Sequence, residues 1–368
     1  MPRTSRARAT LAPARRPHDR CPDDHVPDAA TLPRSGLLER GLAVVTQAPG
    51  AVQRVDMCST PDRGRAWMGA QLKPVALGGV ALRSMPKKPV PDDHHDLQHQ
   101  AAKLSARADA LAARQLAVTV GLYQTNERGD PELTGSGVLV AFGKVRFLLT
   151  AGHVLDLRHN GQLIAGVSPE FVSIAGDVTR VHTLGARSIH DDKVDLGIVR
   201  LAGGPWSAIP ASTFATWNEI DVHPPLVARH TYGLVGFPHS KNRRTTDGDR
   251  MTSLAYGMAG LECPEQSYKE AQTDPRISLM VGFVKEDMWA AGGRRTAPDL
   301  YGVSGCGLWR YGRQIRHARR PPLLSAITIE WHRHNRDKYV LGTRIHVAIG
   351  ALTEKYPDVR EFVSAQVA

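Results

Sequence analysis

Asp299-Leu300-Tyr301-Gly302-Val303-Ser304-Gly305-Cys306-Gly307-Leu308-Trp309 places one serine inside a glycine-rich turn, directly ahead of a short apolar strand pattern. Two earlier segments give that serine partners. Thr150-Ala151-Gly152-His153-Val154 follows the apolar run Val145 to Leu149, and Asp195-Leu196-Gly197-Ile198 opens another run that continues to Leu201. In chain order the set is His, Asp, Ser. A serine hydroxyl is a poor nucleophile near neutral pH, so a hydrogen-bonded imidazole must take its proton as it attacks a carbonyl carbon. That makes His153 the candidate base and Ser304 the candidate nucleophile. A carboxylate on the other ring nitrogen fixes the tautomer and stabilises the imidazolium, which gives Asp195 the orienting role.

In this order, each in a strand-flanked context, the three segments resemble the trypsin-like (chymotrypsin-fold) serine peptidases over about Val118 to Ile349. The resemblance implies an all-β fold of two six-stranded antiparallel β-barrels with the triad in the cleft between them. It implies hydrolysis of a protein or peptide substrate through an acyl-enzyme, with no metal and no organic cofactor. The backbone N–H groups of Gly302 and Ser304 are the expected oxyanion donors. Thr328, Ile329 and Glu330 are expected beside the substrate, whose backbone adds as an extra strand. Val154 stands where many secreted relatives carry a bridged cysteine, so the likeness is to the cystine-poor bacterial branch. Val303 stands where animal digestive members carry the Asp of their activation switch, so that switch is unavailable here. Gly236-Phe237-Pro238 is similar to a turn of many bacterial members. Asp299 lies in the region that lines the specificity pocket, and is read either as a preference for basic side chains or as a solvated turn residue.

A competing serine-hydrolase reading fails on the residues. An α/β-hydrolase elbow needs Gly-x-Ser-x-Gly, with the acid and then the histidine following the serine. Position 306 is Cys, and His317, His332, His334 and His346 have no motif context. The alternating βαβ pattern of that fold is also missing.

Composition suits a turn-rich β protein: 34 glycines and 25 prolines in 368 residues, with 42 % hydrophobic and 23 % charged residues. Cys21, Cys58, Cys263 and Cys306 are too few and too scattered for a disulfide framework, and Cys306 reads as a packed small hydrophobe. No stretch approaches the roughly 18 apolar residues of a membrane span. The basic start, Met1 to Arg20, leads to no apolar core of a secretory signal, so a cytoplasmic location is expected.

Four regions are expected. Residues 1–91 read as a disordered extension, either a flexible arm or translation read from too far upstream, with Met57, Met68 and Met85 as internal starts. Residues 92–116 read as a helical arm, 117–210 as the first barrel, and 211–368 as the second barrel with a closing helix from Gly350 to Val363. Expected strands are Ala117 to Tyr123, Val138 to Phe142, Val145 to Leu149, Phe171 to Ile174, Arg180 to His182 and Leu196 to Leu201 in the first half. Leu226 to Ala228, Tyr232 to Val235, Ile277 to Val284, Gly307 to Arg310, Leu323 to Trp331 and Arg344 to Ala348 follow, with Gly203 to His223 as the crossing.

A net charge of +11 raises two partner readings. Arg310, Arg313, Arg316, Arg319 and Arg320 form a basic run, but without a nucleic-acid motif or interleaved aromatics a solvated hairpin explains it better than nucleic acid does. An acidic protein partner is the next reading. Asp92-Asp93-His94-His95-Asp96 with His99 looks like a metal cluster but lacks a well-spaced third ligand, so no metal is expected. The functional alternative to an endopeptidase is a silent or partner-gated trypsin-like domain that serves as a binding or sensing module.

Overall fold

The structure is a computed structural model that describes residues 44–46, 53–56, 70–71, 112–125, 131–156, 163–167, 170–183, 191–244, 250–285, 288–290, 293–312, 321–332 and 338–367. The Asp92 to Asp96 cluster, His99, and Arg313 to Arg320 lie outside the described residues. Two curled antiparallel sheets form the body, as the expected pair of barrels requires. The first runs Glu170–Ser173, Leu163–Val167, Thr119–Thr125, Pro131–Phe142, Val145–Ala151, Leu196–Leu201, Gly176–Val181. The two end strands of this order, Glu170–Ser173 and Gly176–Val181, are joined by only Ile174 and Ala175, so the sheet curls until its ends meet along the chain.

The second sheet runs Ser278–Gly282, Tyr339–Arg344, Leu323–His332, Gly307–Gly312, Thr231–Gly236, Tyr256–Leu261, and then continues through Val44–Thr46, Met288–Ala290 and Gly293–Arg295. An isolated bridge between Glu262 and Val281, with Cys263 N–H donating to Met280 O at 2.9 Å, returns the sixth strand to the first and closes the barrel. Gln53–Asp56 pairs with Ala70–Gln71 on one side and with Arg250–Ser253 on the other in a separate small sheet.

The Pro131–Phe142 strand is buried continuously from Gly135 to Val140 because both of its faces are covered. Leu139 and Leu148 face the barrel interior with Val120, Leu122 and Val199. Val138, Val140, Phe147 and Ile198 face outward under Ile345, Ile349, Leu352 and Val359 of the C-terminal helices. A half-buried strand would alternate; this one shows the apolar run of a strand covered on two sides. Phe142 closes the seam with edge-on contacts to Trp217 at 6.1 Å and Phe362 at 6.3 Å.

Three expectations need correction. The chain ends in two helices, Ile345–Lys355 and Pro357–Val367, rather than one helix from Gly350 to Val363. Pro357 forces the residue before it into extended backbone, and Tyr356 sits at φ −117°, ψ 109°. Arg344 to Ala348 is not a strand: the strand is Tyr339–Arg344, and the helix begins at the next residue. Leu226 to Ala228 belongs to the crossing, while Leu163–Val167 and Tyr256–Leu261 are strands the pattern did not signal.

The crossing is held to both barrels. Ala215 exchanges backbone hydrogen bonds with Leu139 and Ala141, each 2.8 Å, and Asp221 N–H donates to Leu324 O at 2.9 Å. Buried Asp221 then accepts two hydrogen bonds from the Arg310 guanidinium, at 2.6 and 2.7 Å. Arg310 is therefore an internal tie and not part of an open basic face. Residues 112–118 form a helical turn whose Arg114 grips Glu219 in the same crossing, at 2.5 and 2.7 Å. No helix among the described residues is long and apolar enough to cross a membrane.

Candidate active site

His153 lies two residues past the end of the Val145–Ala151 strand, in the single helical turn Gly152–Asp156. That strand pairs antiparallel with Leu196–Leu201 in the register Ala151 to Leu196, so position 195 is carried opposite positions 152 and 153. Gly152 is required there: a Cβ would meet Asp195 Oδ1 at 2.6 Å and the Asp195 backbone at 3.3 Å. The approach is sealed by Gly152 N–H donating to Asp195 O at 2.7 Å and His153 N–H donating to Asp195 Oδ1 at 2.9 Å. His153 Nδ1 lies 2.5 Å from Asp195 Oδ2. A carboxylate oxygen accepts, so Nδ1 is the donor in this contact, and in the neutral imidazole that tautomer leaves Nε2 with its lone pair.

Asp195 has φ 31°, an uncommon value for a residue with a side chain, and is 5 % exposed. Two neighbours hold its turn. Asp192 Oδ1 accepts the backbone N–H groups of Thr183 at 2.7 Å, Val194 at 3.0 Å and Asp195 at 3.0 Å, while Oδ2 accepts from His182 Nδ1 at 2.7 Å. Burial alone would raise the Asp192 carboxyl, but the N–H groups of Thr183 and Asp195, the His182 ring and the Val194 N–H outweigh it and bring it from 3.8 to about 2. From the second barrel, the Thr343 hydroxyl donates to Val194 O. His182, Asp192 and Asp195 bring three potential ligand atoms within 4.8 Å of one another. Their oxygens are already engaged by the N–H donors above, so the cluster reads as a hydrogen-bonded brace and not a cation cage.

Ser304 sits on a turn built by two glycines in the left-handed region, Gly302 at φ 89° and Gly305 at φ 92°. The turn is stapled to the first barrel by Ser136, which is fully buried. Ser136 N–H donates to Ser304 O at 2.8 Å, Ser136 Oγ donates to Gly302 O at 2.9 Å, and Phe237 N–H donates back to Ser136 Oγ at 3.0 Å. The Thr150 hydroxyl, three residues before His153, donates to Ser136 O at 2.7 Å. One serine thus ties the histidine segment, the nucleophile turn and the Gly236-Phe237-Pro238 turn together.

Within the turn, Val303 N–H donates to Leu300 O at 3.0 Å, Gly305 N–H to Thr328 O at 2.7 Å and Cys306 N–H to Val303 O at 3.0 Å. Among the described residues, the N–H groups of Gly302 and Ser304 have no acceptor. The Tyr301 carbonyl accepts from His239 N–H at 2.7 Å, and a trans peptide then turns the Gly302 N–H the opposite way. The Ser304 hydroxyl donates to Ile329 O at 3.4 Å, a long bond, and among the described residues no hydrogen bond joins it to His153. Catalytic hydrogen bonds are often long or unformed before substrate arrives.

Of the residues expected beside a substrate, Thr328 has both backbone groups engaged: its N–H donates to Cys306 O at 2.8 Å and its carbonyl supports Gly305. Ile329 sits at a bulge in the pairing with Tyr339–Arg344, and its carbonyl faces the Ser304 hydroxyl. Glu330 follows on the same strand, half-buried. Asp299 accepts from Lys285 Nζ at 2.8 Å, so its carboxylate already has a cation. Cys306 is a free thiol inside the second barrel, pushed up to about 12 by burial and bonded to Thr328 Oγ1 at 3.4 Å. It is a packing residue. Ser136, Asp192 and Thr343 were not singled out from sequence; the one available signal was Asp192 three residues before Asp195, a spacing suited to a side chain that bonds nearby backbone.

No protein-family model matches the chain, and no curated protein matches it. Among solved structures it is similar to neuropsin, a serine protease expressed in the limbic system of mouse brain, with 15 % identity and a TM-score of 0.44 over 66 % of this chain and 95 % of that one.

Proposed function

We propose that this chain is a serine endopeptidase that hydrolyses peptide bonds through an acyl-enzyme. The reading is carried by one observation: Ser304 stands on a turn whose two uncommitted N–H groups are those of Gly302 and Ser304, tied through Ser136 and Thr150 to the segment bearing the hydrogen-bonded His153–Asp195 pair. Ser304 Oγ leaves the Ile329 carbonyl by rotation about its Cα–Cβ bond and passes its proton to His153 Nε2 as it attacks the scissile carbonyl. Asp195 holds the imidazole by Nδ1 and stabilises the imidazolium. The oxyanion forms against the N–H groups of Gly302 and Ser304, which need no reorganisation to meet it. His153 then protonates the leaving amine, and water repeats the sequence on the acyl-enzyme. The substrate backbone adds along the edge at Ile329 and Glu330, which would free the Ile329 carbonyl from the serine and give it a peptide N–H instead.

Asp195→Asn tests the assignment. It keeps the shape of the side chain but permits the wrong imidazole tautomer, so turnover of a fluorogenic peptide falls by about four orders of magnitude with an unchanged circular dichroism spectrum. Near-normal turnover would remove Asp195 from the mechanism.

A further inference from the structure

The turn that presents Asp195 is held in an uncommon backbone conformation by a neighbour that, among the described residues, has no hydrogen bond to His153 or Ser304. Asp192 is 5 % exposed, and one of its oxygens gathers the N–H groups of Thr183, Val194 and Asp195 within 3.0 Å. The bond to Asp195 N–H is made at the residue whose φ is 31°. The other oxygen takes the His182 ring at 2.7 Å. Without that acceptor the three N–H groups would be left at a largely buried turn, and the backbone of Asp195 would lose the contact that opposes its return to an ordinary conformation. A rotation there moves the carboxylate that orients His153. We propose that Asp192 is a positioning residue for catalysis, setting the direction of the Asp195 carboxylate and through it that of the His153 imidazole. This inference rests on reading His153, Asp195 and Ser304 as a triad.

The test uses the full chain with Asp192→Ala and Asp192→Asn, each alone and combined with Asp195→Asn. Two readouts are taken: the rate at which a fluorophosphonate probe modifies Ser304, and the proton resonance of the His153 Nδ1–H. Misplacing a catalytic group by about an ångström costs up to about 10²-fold, so Asp192→Ala should slow labelling by about 30- to 100-fold and shift the imidazole proton signal. Asp192→Asn keeps a carbonyl oxygen for the N–H groups and should retain labelling within about fivefold of the parent. In the Asp195→Asn background, removing Asp192 should cost less than about threefold more, because the group it positions no longer orients the imidazole. If Asp192→Ala does not fold, Asp192→Ser, whose hydroxyl can serve one N–H, gives the same comparison with a smaller loss. Equal losses in both backgrounds would mean that Asp192 only supports the fold, and would overturn the inference. So would an unshifted imidazole proton in a folded Asp192→Ala protein. Failure of the parent chain to label would count against the hydrolase reading alone, since the imidazole proton still decides this one.

Discussion

Ser136→Ala removes one oxygen from the place where three segments meet. In the parent, that oxygen donates to Gly302 O at 2.9 Å and accepts from Phe237 N–H at 3.0 Å, with Ser136 fully buried and Phe237 4 % exposed. The methyl of alanine replaces neither bond. Phe237 N–H is left without an acceptor and Gly302 O without its donor, and a buried backbone group without a partner costs about 1–3 kcal/mol. The two losses share a site and do not add fully, so the expected destabilisation is about 3 kcal/mol, a large share of the roughly 5–15 kcal/mol that holds a domain folded. Urea unfolding followed by tryptophan fluorescence measures it as a lower midpoint with an unchanged slope. A second effect is local. Gly302 contributes an N–H to the proposed oxyanion site, so loosening its carbonyl should also slow fluorophosphonate labelling of folded protein by about tenfold or more, part of the 10²–10³ that loss of a whole donor costs. A midpoint within about 0.5 kcal/mol of the parent, with labelling unchanged, would show that the Ser136 hydroxyl does not join the barrels as described.

The buried pair Arg344–Glu262, 3.0 Å apart with both side chains 0 % exposed, gives the next prediction. Arg344→Met strands the Glu262 carboxylate and should cost about 3–5 kcal/mol in denaturant unfolding, whereas Arg344→Met with Glu262→Leu should recover part of it, the remainder being the donor that Pro275 O and Ser278 O lose; equal losses in the single and double variants would refute the pairing. Acid stability gives a third. Asp192 is held at about 2 in the fold against 3.8, so its contribution is fully present above about pH 4 and is lost as pH falls toward 2. That is about 2 kcal/mol of extra acid destabilisation in the parent, and it should be absent from Asp192→Asn; matching acid slopes in the two proteins would contradict the assignment.

The strand and turn that carry His153 and Asp195 were legible because local sequence announces their place. The β-branched and apolar run Val145 to Leu149 had to be a strand, and the glycine after it allows the close approach of Asp195. The hydrogen bonds that brace these segments were not legible. Ser136, Asp192 and Thr343 are short polar residues whose partners lie at Gly302, Thr183 and Val194, so their value appears only when distant segments meet. The missed strands have similar causes. Tyr256-Gly257-Met258-Ala259-Gly260-Leu261 is poor in strand-favouring residues, yet it pairs along its length with Thr231–Gly236, so tertiary pairing overrides local preference. Tyr339-Val340-Leu341-Gly342-Thr343-Arg344 contains strand formers, but the apolar residues after it also fit a helix face, which moved the expected strand too far along the chain.

The most direct test of the account is labelling of the purified full chain with a fluorophosphonate probe, with the modified residue mapped by mass spectrometry. A nucleophilic Ser304 activated by His153 gives a single adduct on Ser304 that is lost in Ser304→Ala and in His153→Ala. An adduct on another serine, or one on Ser304 that forms at the parent rate in His153→Ala, would contradict it.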